Sequence, residues 1–256
     1  MSPTRTEKAY DFAELVSNLV TEDDTPVDNL YSAKQQRLLV EPLYNSWTPL
    51  LSEETDSHES LPPRLFLADA NVGIFFSVHE APLVPDMFLS LDVQVNPQWV
   101  AKEHRSYFCW EFGKPPDVVV EVVSNQVGGE LTEKLRRYAR MDITYYVVFD
   151  PFRELSAEPL RVYERGFGKR YRLRPDFQLP ELGLQLTIWH GAYEAWEEDW
   201  LRWCDASGQL ISTGAEGIQQ QAQYARQETE RATREAERAA RLAAKLRELG
   251  VDPEQV

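Results

Sequence analysis

Residues 115–151 read PPDVVVEVVSNQVGGELTEKLRRYARMDITYYVVFDP, and the architecture follows from them. DVVVEVVS is a nearly continuous apolar run with one carboxylate in its middle, the pattern of a central strand covered on both faces. Asn125 to Gly129 form a turn. GELTEKLRRYARM follows as a helix whose Leu131, Leu135, Tyr138 and Ala139 fall on one face. TYYVVFDP is a further strand, so 118–150 has the length and order of a strand–helix–strand unit.

Upstream, the pattern is looser. Residues 1–29 read as an N-terminal arm, with a helix over AYDFAELVSNLV and a solvated acidic loop, TEDDTPVD. In NLYSAKQQRLLVEPLYNSW, Leu30, Gln35 or Gln36, Leu38, Leu39 and Leu43 recur at helical spacing, with Ser32 as the expected N-cap. LLSEETDSHESLPP is a polar, proline-terminated surface loop. From Arg64 short β-type runs begin. RLFLAD and VGIFFSV flank Ala70-Asn71, which is expected to be a tight turn, and LVPDMFLSL is another strand.

Downstream, LRVYER, KRYRLR, LGLQLTIWH and the Trp-rich EAWEEDWLRWCD return to hairpin-like runs. Trp196, Trp200 and Trp203 read as core or packing surface. The last stretch differs. Ile218, Ala222, Ala225, Thr229, Ala232, Ala236, Ala239, Ala243 and Leu246 step by fours and threes, a heptad seam, and Gly250 with Pro253 should end the helix. It is either a solvated single helix or a pairing surface, since alanines bury little area.

Composition bounds the function. The 256 residues are 43% hydrophobic and 27% charged, an ordinary globular mix, and their net charge is −15. From Ala215 onward 8 acids nearly balance 7 bases, so almost all of that charge lies on the body. An acidic body argues against a general nucleic-acid coat or a binder of anionic membranes. Cys109 and Cys204 have no metal-binding or disulfide spacing and read as reduced, buried thiols. The opening residues mix charges and do not look like a secretory signal, and no run is long and apolar enough to span a membrane. A cytoplasmic protein is therefore expected. No P-loop, GxGxxG or paired-histidine motif is present, so no nucleotide cofactor is expected.

The residues that carry chemistry are Asp86, Glu121 and Lys134. A carboxylate inside an apolar strand is costly unless paired, hydrogen-bonded or bound to metal. Taken alone, Glu121 reads equally well as a strand-edge acid or an arginine partner, and Lys134 as the partner of Glu130 four residues earlier. Together they suggest more. Two carboxylates from adjacent strands could share a Mg²⁺ while an ammonium stands alongside, an arrangement suited to phosphodiester hydrolysis. Asp117 is the rival to Asp86, but positions four apart on one strand lie about 13 Å from each other, too far to share a metal without a bend. Ser124 and Asn125 fit a capping role at the turn.

VPDMFLSL, PPDVVVEVVSN and GGELTEKLRRYARMDITYYVVFDP resemble the Uma-type restriction endonuclease family of the PD-(D/E)XK nuclease superfamily, over roughly residues 30 to 205. The resemblance implies an α/β fold with a restriction-endonuclease-like mixed central sheet and flanking helices, to which this chain adds a long C-terminal helix. It divides the chain into the arm 1–29, a nuclease domain 30–213 and a heptad tail 214–256. It also implies Asp86, Glu121 and Lys134 as catalytic residues, with Asp86 and Glu121 holding Mg²⁺ or Mn²⁺. The strict motif sets its lysine two residues after the acid, where this chain has Val123. The family is expected to use instead a lysine from the following helix, which the resemblance assigns here to Lys134. The helix with Ser32, Gln35 and Glu41 corresponds to one that bears polar residues facing the site in the family, which makes Glu41 a further candidate acid.

The expected function is a Mg²⁺-dependent DNA endonuclease acting as a homodimer. Seven basic residues (Arg153, Arg161, Arg165, Lys169, Arg170, Arg172 and Arg174), together with Arg136, Arg137 and Arg140, could form a basic cleft in the acidic body. The alternative is a catalytically inactive nuclease fold that serves as a binding or assembly module through its C-terminal coiled coil.

Overall fold

The computed structural model describes residues 29–49, 64–124 and 128–248. The expected helix over 9–20, the loops at 21–28 and 50–63, part of the 125–129 turn and the helix stop at Gly250 and Pro253 lie outside the described residues. The chain divides between Ile211 and Ser212 into two compact units.

In the first unit, α1 (Leu30–Ser46) opens the described chain. Its N-cap is Asn29, not Ser32: the Asn29 side chain accepts the Ser32 N–H at 2.9 Å, and Ser32 is buried. Asparagine caps as well as serine and sits where the chain is still extended. Next come β1 (Phe66–Asp69) and β2 (Ile74–Phe75), which do not form the expected hairpin. Instead β1 pairs antiparallel with β3 (Met87–Leu91), and β2 pairs in parallel with β4 (Tyr107–Phe108). A two-residue hairpin needs a positive φ at one or both central residues in a strict pattern. Asn71 alone of the pair has it, at 55°, and its amide is drawn away to α1 by Gln36.

A short α2 (Cys109–Phe112) precedes β5 (Val118–Val122), all of whose residues are buried. A single π-helical turn, Glu130–Lys134, then runs into α3 (Leu135–Arg140), and β6 (Tyr145–Phe149) returns parallel to β5. β7 (Leu160–Gly166) and β8 (Arg170–Leu173) complete a six-stranded sheet in the order β1-β3-β5-β6-β7-β8. Only β5 and β6 are parallel neighbours, so the sheet is mixed, as expected.

Alternation along β5 divides two cores. Val118, Val120 and Val122 face α1 and a smaller sheet, made of β9 (Gln178–Leu179), β10 (Leu184–Tyr193) and β11 (Trp196–Asp205). Val119 and Val123 face Tyr138 and the helical segment after the turn. Glu121 shares this second face by strand period. Trp200 and Trp203 are core residues, while Trp196 stays partly exposed at the hairpin turn beneath the Lys34 ammonium. Cys109 and Cys204 are buried and free, and burial pushes the Cys109 thiol up to about 12.

The β10–β11 turn is made by Glu194 and Ala195, both at positive φ (46° and 67°). Such φ values cost an ordinary side chain on the order of 1 kcal/mol. Two cations of α1 hold the turn: Lys34 and Arg37 bind the Glu194 carboxylate at 2.5 and 2.6 Å. They hold its carboxyl down at about 2.

The second unit contains α4 (Gly214–Glu248), none of whose residues is buried. No helix among the described residues is long and apolar enough to cross a membrane.

A buried contact ties α1 to β11. The buried Gln35 amide donates to the Leu201 carbonyl at 2.8 Å and accepts the Leu201 N–H at 2.9 Å. Replacing it leaves a buried donor and a buried acceptor of β11 unpaired. Gln35→Ala should therefore lower stability by about 2–4 kcal/mol, read from urea unfolding midpoints. A loss below about 0.5 kcal/mol would show that the contact does not hold α1.

Candidate active site

The β3–β5 register, Met87↔Val120 and Phe88↔Val119, continued by one rung sets Asp86 opposite Glu121. Side chains of directly opposed antiparallel residues share a face. Asp86 stands one residue before β3, where no further rung is available to Val122, and its carboxylate substitutes for one. Asp86 Oδ2 accepts the Val122 N–H at 2.7 Å, and Oδ1 accepts from Gln36 Nε2 at 2.8 Å. Asn71 in turn orients the Gln36 amide, donating to its Oε1 at 2.9 Å. The turn read as a hairpin thus positions the site from a distance.

Glu121 is 2% exposed and both its oxygens are engaged. Oε2 accepts from Lys134 Nζ at 2.7 Å, and Oε1 accepts from the Tyr138 hydroxyl at 2.6 Å. Lys134 and Tyr138 lie one turn apart and present one face. What brings that face onto β5 is the π-helical turn, in which the Lys134 N–H reaches back five residues to the Gly129 carbonyl at 3.1 Å. Tyr146 of β6 pins the turn by donating to the Glu130 carbonyl at 2.8 Å.

Burial pushes the Glu121 carboxyl up to about 7; the Asp86 charge acts in the same direction, and Lys134 and Tyr138 oppose both. The Lys134 amine is pulled down by burial, but Glu121, Glu130 and Asp86 outweigh that and hold it above the ordinary lysine value. Burial and Glu121 raise Tyr138 far above the usual phenol range, so it stays a donor. The result is two facing carboxylates with one ammonium between them and solvent. Among the described residues no group of three or more His, Cys, Asp or Glu is disposed to hold a metal. The donor set is instead a pair of hard oxygen ligands, which fits Mg²⁺: that ion takes one or two carboxylates and fills its other positions with water and substrate phosphate.

The three residues singled out in the sequence are therefore together. The rivals are elsewhere. Asp117 lies at the far end of the same strand pair, where its carboxylate accepts from Lys114 at 2.6 Å and from the Leu91 N–H at 2.7 Å. It caps β3 there as Asp86 caps β5 at the other end. Glu41 accepts from Asn45 on its own helix at 2.6 Å. Asp150 of the Asp-Pro motif is fully buried and accepts the N–H groups of Glu154 and Leu155, both at 2.8 Å, a structural cap. Ser124 is exposed, and Asn125 lies outside the described residues.

Gln36, Asn71 and Tyr138 were not anticipated as site residues. Tyr138 was legible in principle, because it follows Lys134 by one helical turn. The basic stretch is largely neutralised in place. Arg165 and Lys169 share Asp142, and Arg174 lies between Glu164 and Asp176. Arg137, Arg140 and Lys169 line a cleft of about 260 Å³ beside α3 together with Glu80, which pairs with Arg140 at 3.7 Å.

The raised Glu121 carboxyl has a consequence for stability. The folded protein holds that proton more tightly than the unfolded chain does. The group therefore favours folding at low pH and opposes it increasingly as pH rises from about 4.5 toward about 7. In EDTA, the stability of Glu121→Gln relative to wild type should rise by about 2 kcal/mol between pH 5 and pH 8. A difference that does not change with pH would contradict the burial argument.

A family model described as "Uma2: Putative restriction endonuclease" matches residues 36–188. No curated protein and no solved structure matches the chain. The matched span contains β3, β5, α3 and β6 with Gln36, Asp86, Glu121, Lys134 and Tyr138, and it covers more than half of the 256 residues. This chain belongs to the Uma2 family of restriction-endonuclease-type proteins.

Proposed function

We propose that this chain is a Mg²⁺-dependent DNA endonuclease that hydrolyses phosphodiester bonds at Asp86, Glu121 and Lys134. One observation carries the reading. Two buried carboxylates oppose each other across β3 and β5, with the Lys134 ammonium 2.7 Å from the second. A carboxylate enclosed in an apolar strand costs desolvation that a hydrophobic residue would not, which supports a functional reason for keeping it.

Asp86 and Glu121 are the residues that would hold the cation. When bound, it supplies charge neutralisation at the scissile phosphate and lowers the pKa of attacking water. The protein's own groups do the rest. Gln36 and the Val122 N–H fix the Asp86 carboxylate, and Tyr138 fixes one oxygen of Glu121, so both ligands are aimed before anything binds. Lys134 is positively charged and partly open to solvent, at 27% side-chain exposure, so it can meet a phosphate oxygen or orient a water. Such preorganised positive charge acts where negative charge develops in the in-line transition state. Arg137, Arg140 and Lys169 line the cleft beside Glu80, and flanking phosphates bound there would take the place of their pairs with Glu133, Glu80 and Asp142. Cutting both strands of a duplex calls for two copies, and the heptad seam of α4 is the surface we assign to that pairing.

The competing reading is a silent fold used for assembly. It is favoured by the fact that Lys134 and Tyr138 already satisfy both Glu121 oxygens. Incubating supercoiled plasmid with purified protein and Mg²⁺ or Mn²⁺ separates the two. Nicking should appear, vanish with EDTA, and fall by roughly 10²–10³-fold in Asp86→Ala, Glu121→Ala and Lys134→Ala. Intact plasmid under every metal, or cleavage that survives all three substitutions, would overturn the proposal.

A further inference from the structure

Glu130 is 6% exposed, and it sits in the π-helical turn one helical turn before Lys134. Its Oε1 is 3.4 Å from Lys134 Nζ, while its Oε2 is buried with no hydrogen-bond partner among the described residues. A buried carboxylate oxygen left without a donor is uncommon in folded proteins and calls for an explanation. The backbone makes room for it. A Cβ at Gly128 would stand 1.8 Å from Glu130 Oε1 and 2.8 Å from Oε2, so any side chain there would displace the carboxylate.

Resting on the endonuclease reading, we propose that Glu130 is a positioning residue: the second anchor that keeps the Lys134 ammonium at the site when a cation engages Glu121. Lys134 spends its short bond on Glu121 Oε2, the same oxygen a cation would draw on. A divalent ion there both competes for that oxygen and repels the ammonium. With Glu121 as its sole acceptor, a side chain already 27% exposed would swing into solvent and its charge would be lost to the phosphate. Glu130 is within reach and holds an oxygen with no hydrogen-bond partner among the described residues, and it is not opposed across the β3–β5 register as Asp86 and Glu121 are. It is therefore placed to accept the ammonium rather than to ligate the ion.

The test reads Lys134 directly. Full-length wild type, Glu130→Gln and Gly128→Ala are acetylated with trace acetic anhydride, with and without saturating Mn²⁺, and Lys134 modification is followed by mass spectrometry. In the wild type Mn²⁺ should change Lys134 labelling by less than about twofold. In both variants it should raise labelling roughly tenfold, the population change that one charge-assisted hydrogen bond supports. Gly128→Ala keeps the charge and moves only its position, which separates placement from net charge and backs up Glu130→Gln should that variant fold poorly. Plasmid turnover by Glu130→Gln should fall about tenfold in kcat with KM for DNA unchanged. Equal Mn²⁺ responses in wild type and variants would overturn the inference. A wild type that shows no Mn²⁺ binding by calorimetry would instead overturn the metal-dependent reading on which it rests.

Discussion

The burial of one carboxylate in the middle of β5 is the constraint from which the rest of the molecule can be understood. Glu121 is almost fully enclosed, and the enclosure is tolerated because an ammonium and a phenol arrive from one helix face. An isolated charge at that position would cost several kcal/mol. The strand–turn–helix–strand segment is thus more than a packing unit: its helix face supplies the donors that its first strand lacks.

Around that pair the protein uses polar side chains where backbone pairing stops. Asp86 and Asp117 each accept an N–H from the neighbouring strand, at opposite ends of the β3–β5 pair. The two acids look alike in sequence, each after a proline and each next to a β-run. Their difference lies in company. Asp117 has Lys114, three residues earlier, whereas Asp86 has Gln36, from a helix fifty residues away, and the backbone of the strand that carries Glu121. Adjacent glutamines on α1 divide the labour, Gln35 toward β11 and Gln36 toward Asp86, so the same helix secures both the small sheet and the site.

The strands β5 and β6 and the helix between them were legible because their signals are local: a continuous apolar run, a turn, a helical stripe and a second run. Asp86, Glu121 and Lys134 stood out because charge in such surroundings is expensive. What escaped reading was long-range. Nothing local says that β1 joins β3 rather than β2, or that Asn71 answers to Gln36. A glutamine among leucines looks like an imperfection in the helical stripe until its partner is known. The Glu194-Ala195 turn lacks the usual glycine or asparagine, and it is held by ion pairs to Lys34 and Arg37, which are 160 and 157 residues away in sequence. In each case the missing information was a tertiary partner, which no window of neighbouring residues contains.

The widened turn at Glu130–Lys134 ties the aim of the Lys134 ammonium to the burial of Glu121. An ordinary α-turn of the same span would take up one residue fewer, and each residue rotates a helix by about 100°. Loss of a single codon from that bulge could therefore regularise the helix while aiming the lysine at another quarter of its circumference. Tyr138 would turn with it, and Glu121 would stay buried without either of its donors. The length of that one turn is therefore constrained along with the acid it serves, although no residue of the turn needs to keep its identity for the length to matter.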